Sequence, residues 1–294
     1  MQSPFWHYNT TFDAQEIMRR YAVETPSPRE GLLVNFLDVA VDPKVLPSIL
    51  APMAGTVEDL PIPANWHADI AEWGAALRAV DLSGQRFTMI ELGCGWGCWM
   101  NNSGAAARST GREVHVIGIE GDQGHLKFAE EALDRNGFDR SQWTLVSGIA
   151  AGKAGTALFP IQDQAGGSWG LEPVFGADEE QTQKAVDSGR FEALPMVPLS
   201  DVVRDHDRID LLHIDIQGGE IGFVSDCLDV MNEKVAYLVI GTHSRQIEGE
   251  LFDILGGAGW LLEMERPAVL MLTVDGPITT VDGLQGWRNL RLLP

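Results

Sequence analysis

The stretch that constrains this chain most runs from Arg86 to Trp99, R-F-T-M-I-E-L-G-C-G-W-G-C-W. Phe87, Met89, Ile90 and Leu92 form the short apolar run of a buried central strand. Gly93, Gly95 and Gly97 then fall at every second position. Residues without a Cβ let the backbone turn tightly and lie against a ligand. A helix beginning near Cys98 would aim its free N–H groups into the same space. A strand driven into such a turn predicts an open α/β sheet with its ligand at the carboxyl ends of the strands.

The chain around this turn alternates in the matching way. Further strands are expected at Val114–Ile119, Trp143–Val146, Ile209–Ile214 and Val235–Ile240. Helices should follow at Cys98–Arg108, Gly124–Asn136 (closed by Gly137), near Gly219, and at Gln246–Leu255. In the tail, Trp260–Glu265, Val269–Val274 and Trp287–Leu292 read as strands too closely spaced for helical crossovers, so that end of the sheet should be antiparallel. The expected fold is a Rossmann-like, seven-stranded, mostly parallel sheet with helices on both faces.

Two regions fall outside this alternation. Residues 1–80 read as a helical and loop cap, leaving 81–294 as the main domain. The cap should hold a helix from Asp13 to Tyr21 with Asp13 as N-cap, a second short helix in Gly31–Val41, proline-rich chain over 45–63, and a helix Asn65–Val80 capped by Asn65. The second region, 160–195, reads as a variable acidic excursion between two hairpin-like strands, Thr156–Ile161 and Leu194–Pro198. Cap and excursion are expected to wall the pocket for whatever the protein acts on.

Charge narrows the partners. Lys and Arg number 21 against 42 Asp and Glu, a net charge of −21. Such a chain lacks the basic face that neutralises phosphates, so neither nucleic acid nor an anionic membrane surface is an expected partner. Three cysteines without framework spacing argue against a disulfide scaffold. The N-terminal stretch lacks a basic and apolar leader pattern, and no run approaches 18 apolar residues, so a cytoplasmic location is expected. A homo-oligomer is compatible with the sequence.

The glycine spacing addresses the ligand. A dinucleotide fingerprint is G-x-G-x-x-G. Here it is G-x-G-x-G preceded by Glu91, an acidic residue awkward beside a pyrophosphate and well placed beside an ammonium or sulfonium. This pattern resembles motif I of the class I S-adenosylmethionine-dependent methyltransferases. Glu120 lies 27 residues after Gly93, at the end of the adjacent strand, where a carboxylate can accept both ribose hydroxyls of an adenosyl group. The resemblance implies S-adenosylmethionine as cofactor and S-adenosylhomocysteine as product, held by Glu91, Gly93, Gly95, Trp96, Gly97, Glu120, Gly121, Gly148 and Ile149.

From Val197 the chain reads V-P-L-S-D-V-V-R-D-H-D-R-I-D-L-L-H-I-D-I-Q-G-G-E-I-G-F-V. This resembles the FkbM family of methyltransferases, whose pattern is roughly T-L-D-x-L, a strand, then K-I-D-V-E-G-x-E and a helix. Leu199, Asp201, Ile214, Asp215, Gly218 and Glu220 match. His213 stands for the usual Lys, Gln217 for the usual Glu, and Gly241-Thr242-His243 where the family often shows Glu-x-His. The likeness covers about residues 86–265. It implies O-methylation of a small-molecule hydroxyl, on a secondary metabolite or sugar.

Methyl transfer needs the acceptor held in line and water removed, and a hydroxyl acceptor gains from a base. The expected catalytic pair is His243 as base with Asp215 orienting the acceptor or the base. No metal is expected, since Thr242, His243 and Ser244 offer no carboxylate after the fifth strand. Two alternatives remain open at this point: an NAD- or nucleotide-binding oxidoreductase, and a non-catalytic adenosyl-binding module.

Overall fold

The computed structural model describes residues 3–164 and 166–294. An eight-stranded sheet organises them. Its strands are β1 (Asn9–Thr10), β2 (Arg86–Leu92), β3 (Glu113–Glu120), β4 (Trp143–Ser147), β5 (Leu211–Ile214), β6 (Tyr237–Thr242), β7 (Trp260–Arg266) and β8 (Gly283–Asn289). Across the sheet they run β1-β7-β8-β6-β5-β2-β3-β4. The block β4-β3-β2-β5-β6 is parallel. β8 lies antiparallel to both β6 and β7. The chain winds from β2 outward to β4 and then from β5 outward the other way. The crevice at the carboxyl ends of β2 and β5 is therefore the switch point where open α/β sheets bind ligands.

The strands alternate between two apolar layers, as the period-two geometry of a strand requires. Phe87, Met89, Leu211, Tyr237 and Val239 join one buried cluster, with Trp73 and Leu77 of one helix and Trp99 and Met100 of another. Ile90, Leu92, Leu212, Ile214 and Ile240 join the second, with Phe223, Val224, Leu251 and Leu255. The α-helices of eight or more residues among the described residues are α1 (Ala14–Tyr21), α2 (Ile70–Leu82), α3 (Cys98–Ser109), α4 (Gln123–Arg135), α5 (Glu179–Asp187), α6 (Glu220–Lys234) and α7 (Arg245–Gly257). Among the described residues no helix is long and apolar enough to cross a membrane.

Four expectations are corrected. The sheet has eight strands rather than seven, because Asn9 and Thr10 pair with Glu265 and Met264 at its edge. Residues 33–41 form a small antiparallel hairpin, not a helix. Asn35 Oδ1 accepts from the Leu37 and Val39 amides and so stabilises the turn. The helix expected from Asn65 starts at Ile70: Asp69 takes the N-cap, accepting from Ala71 and Glu72, while Asn65 Oδ1 is spent on the His67 and Ala68 amides. The strand near 269 pairs with Gly276–Val281 in a separate hairpin, and the last sheet strand is Gly283–Asn289. That strand takes the place beside β6, so the apolar hairpin finds no core, and Leu272 stays 83% exposed.

The acidic excursion is framed as expected. Gly155–Pro160 and Phe191–Pro198 pair antiparallel, and Ile149–Ala151 adds a parallel third strand. Within it, Asp178 and Gln181 form a capping box that starts α5.

Candidate cofactor and acceptor site

At the switch point lies a cavity of about 830 Å³, walled by the turn after β2, the ends of β3 and β5, the start of the small sheet, and His67 and Glu72 from the N-terminal region. Seven carboxylates line it against one lysine, Lys153, which favours a cationic ligand over an anionic one.

The glycine turn is built for close approach. Gly93, Gly95 and Gly97 all have positive φ, at +64°, +52° and +74°. A Cβ on Gly93 would lie 2.9 Å from the Asp215 carbonyl oxygen, so the β2 and β5 ends meet only through a glycine. Gly97 is the left-handed N-cap of α3 and stands behind the cavity wall. The remaining expected cofactor residues, Glu91, Gly93, Gly95, Trp96, Glu120, Gly121, Gly148 and Ile149, all line the cavity.

The two acidic residues at the strand ends are already engaged. Glu91 accepts from the Trp99 and Met100 amides at 3.2 and 2.9 Å and so anchors the first turn of α3. Burial pushes its carboxyl up to about 7. Glu120 accepts from the Gly95 amide at 2.9 Å and the Asp122 amide at 2.8 Å. Each oxygen keeps a lone pair for a further donor. Gly121 follows without a Cβ, which would meet Ile149 Cδ1 and Phe159 at 3.0 Å. The space beyond Glu120 is therefore flat and apolar. This cradle of glycines, one free-sided carboxylate and an apolar slot fits an adenosyl group.

On the other side of the crevice, Asp215 follows β5 and the backbone bends sharply through Gln217 and Gly218, at φ +55° and +91°. A non-glycine residue in that region stores strain, a frequent mark of a site. The bend returns Glu220, wholly buried, at the start of α6. His243, just past β6, donates through Nδ1 to Glu220 Oε1 at 2.8 Å, and its Nε2 lies 3.3 Å from Asp215 Oδ1. Burial opposes charge on this ring, but the hydrogen bonds to Asp215 and Glu220 outweigh it and push the imidazole up to about 10. His243 is thus an imidazolium at neutral pH, clamped between two carboxylates behind the cavity wall. Asp215, its carboxyl held below the usual range by His243 against the cost of burial, is the member of the trio that faces the cavity.

These three are the group of His, Cys, Asp and Glu among the described residues whose ligand atoms all lie within 4.8 Å of one another. Such a set could hold a metal ion; here both ring nitrogens of His243 lie within reach of a carboxylate, and Glu220 Oε2 is buried without a hydrogen-bond partner.

Other side chains complete the lining. His213, on β5, bonds Glu72 of α2 at 3.0 Å. Burial lowers its tendency to charge, yet Glu72 raises it above the usual range. His67 sits between Trp66, Trp96 and Trp99, with ring centroids 5.1, 6.1 and 5.8 Å away, and burial drives it down to about 4, so it is neutral. Trp169, from the acidic excursion, lies over Gly95. No local pattern around His67 or Trp169 marks them.

The chain is 42% identical over 273 residues to a protein of Jannaschia sp. (strain CCS1) named "Putative methyltransferase", a match spanning 92% of this chain and 97% of that one. No family model matches the sequence. Among solved structures it is similar to the N-terminal domain of human METTL16 in complex with SAH, at 13% identity and TM-score 0.42, over 82% of this chain and 79% of that one. It is similar too to a human methyltransferase 10 domain containing protein, at 11% and 0.41 over 94% and 98%. A third is precorrin-6y C5,15-methyltransferase from Geobacter metallireducens GS-15, at 9% and 0.39 over 72% and 86%. Scores this low carry nothing about substrate. The full-length relative, the strand order and the glycine–carboxylate cradle together lead to one conclusion: the chain belongs to the class I, S-adenosylmethionine-dependent methyltransferases.

Proposed function

We propose that the protein methylates a hydroxyl of a small molecule, with Asp215 as the acceptor-facing group and His243 as the cation that positions it. The observation that carries this reading is the trio Asp215–His243–Glu220 at the ends of β5 and β6, across the crevice from the glycine turn. The FkbM-like segment around Asp215 and Glu220 supports the same reaction type, and an acidic cavity of about 830 Å³ suits a small acceptor better than a polyanion.

Bound in the cradle, S-adenosylmethionine would supply a methyl group already activated by its sulfonium. Glu120 and the amides of the glycine turn would hold the nucleoside, and Gly121, Gly148 and Ile149 would border its base. The protein's remaining work is positional. Asp215 would accept the hydrogen bond of the acceptor hydroxyl and take its proton, while the cofactor would supply the methyl carbon, its sulfur leaving as the neutral thioether. His243 keeps its own proton, fixes the Asp215 rotamer, and balances the buried charge of Glu220. The roles expected from sequence are thereby recast: His243 orients and Asp215 takes the proton. The Trp-lined His67 and the Glu72–His213 pair border the acceptor end and limit water.

The test is in two steps. S-adenosylhomocysteine should raise the melting temperature and NAD should not. Tritiated methyl from S-adenosylmethionine should then pass to members of a panel of phenols, sugars and aliphatic alcohols, and Asp215→Asn should abolish that transfer while leaving S-adenosylhomocysteine affinity within about threefold. Transfer to amines with no transfer to hydroxyls would overturn the acceptor class.

A further inference from the structure

The described residues between Pro160 and Val174 (161–164 and 166–173), in a stretch expected from sequence to wall the acceptor pocket, make their contacts with the cofactor cradle. It leaves the strand Gly155–Pro160 and returns to the same strand, where Leu158 and Val174 exchange both amide hydrogen bonds at 3.0 and 2.8 Å. Both ends are thus fixed at one place, the form of a closed surface loop. Between them the loop crosses the crevice. Gln162 Nε2 donates to Asp122 Oδ2 at 2.9 Å, and the Gly166 amide donates to Asp122 Oδ1 at 2.9 Å. Trp169 stacks on His125, centroids 4.2 Å apart and planes 29° inclined. Its ring rests on Gly95 so closely that a Cβ there would fall 2.5 Å from Cζ3. Gly170 then comes to Gln217, on the far bank after β5. The loop therefore bridges the ends of β3, β2 and β5.

Two features set this apart from ordinary loop packing. Trp169 remains 40% exposed, so its position is not the result of burial in a core. And the loop is tied to the cradle through a chain of hydrogen bonds: Glu120 holds the amides of Gly95 and Asp122, and the Asp122 carboxylate holds Gln162 and Gly166. Whatever binds at Glu120 bears directly on the residue that fastens the loop.

We propose that this loop is a strap over the cofactor, with Trp169 as a wall of the adenosyl site and Asp122 as its latch. The inference rests on the S-adenosylmethionine reading. It assigns to the loop control of cofactor exchange, since the nucleoside reaches the glycine turn only when the strap lifts.

The experiment uses S-adenosylhomocysteine as probe, with affinity from calorimetry and rates from stopped-flow fluorescence. Trp169→Ala should weaken binding at least tenfold, chiefly through faster dissociation, and Trp169→Phe should restore most of it. Gln162→Ala should speed association and dissociation together, leaving Kd within about threefold. Circular dichroism and melting temperature check that each variant folds. Unchanged Kd and rates in Trp169→Ala, or tighter binding, would overturn Trp169 as a wall; unchanged rates in Gln162→Ala would overturn the latch. Wild-type protein that does not bind S-adenosylhomocysteine would remove the cofactor reading itself, an outcome distinct from either.

Discussion

Replacing His243 with glutamine tests whether the imidazolium clamp exists. The wild-type ring is charged between Glu220, fully buried, and Asp215. Its side chain is 18% exposed and that of Glu220 0%, so solvent screens this pairing weakly, while Asp215, 45% exposed, is screened more strongly. The pKa lies at about 10 in the folded protein against an ordinary 6.5. At roughly 1.4 kcal/mol per pH unit, that gap is worth at most about 5 kcal/mol. The sign follows from linkage: a group whose pKa is raised by folding stabilises most below its unfolded pKa, and the stabilisation drains away as pH rises through the folded value. The glutamine side chain keeps a donor and does not titrate. The difference in unfolding free energy between wild type and His243→Gln should be largest, several kcal/mol, near pH 6. It should shrink steadily from there toward pH 10. Urea unfolding at half-unit intervals over that range reads it directly, because the other titrating groups are common to both chains. A difference that stays flat with pH would refute the clamp, and with it the view that His243 orients rather than takes a proton.

Three further outcomes follow from the cradle. Glu120→Gln weakens a charge-assisted hydrogen bond worth about 1.5–3 kcal/mol, so S-adenosylhomocysteine affinity measured by calorimetry should fall roughly 10- to 100-fold. Gly95→Ala forces a left-handed residue, at about 1–2 kcal/mol, and drives a methyl into Trp169, so the melting temperature should drop by a few degrees and nucleoside affinity should fall with it. Nitrogen-15 spectra of the histidines should show His67 neutral from pH 5 to 8, as its pKa of about 4 requires, while His243 stays doubly protonated across the same interval.

The cofactor half of the site was legible because it is local. A turn of glycines after an apolar run and an acidic residue at the end of the next strand are short-range signals, and the fold brings eight of nine named residues to one cavity. The acceptor half is not local. Glu220 reads from sequence as a first-turn acid on a helix, a sufficient reason for it, and nothing near it announces a bond to a histidine 23 residues away. Similarly, Asn65 and Asp69 are both competent caps, and the choice falls to Asp69 only because Pro63 accepts the Ile70 amide and Asn65 is used in its own turn. The apolar alternation at 269–273 predicts a strand correctly but cannot tell a sheet strand from an exposed hairpin, since occupancy of the place beside β6 is decided by residues further on. Trp169 reaches the cavity from a segment with no periodic pattern, and His67 from the turn before α2, where the sequence reads as helix.

The charge of the cavity has a consequence for turnover. S-adenosylmethionine carries one more positive charge than the thioether left after transfer. Within a cavity bordered by seven carboxylates and one lysine, that charge is favoured, though the imidazolium of His243 and the raised pKa of the Glu91 carboxyl, about 7, offset part of the field. At about 8 Å, each uncompensated unit charge contributes roughly 0.5 kcal/mol at a dielectric of 80 and roughly 2 kcal/mol at 20. A net excess of one charge should therefore hold the sulfonium about two- to thirtyfold more tightly than the product, which eases release once the methyl has gone. Because the cavity opens to solvent, salt should erode this preference. Calorimetry of both nucleosides at about 20 mM and 500 mM salt should show the ratio of their dissociation constants narrowing. A ratio near one at low salt, or one indifferent to salt, would mean that the carboxylates are neutralised within the protein and that discrimination rests on packing against the methyl group.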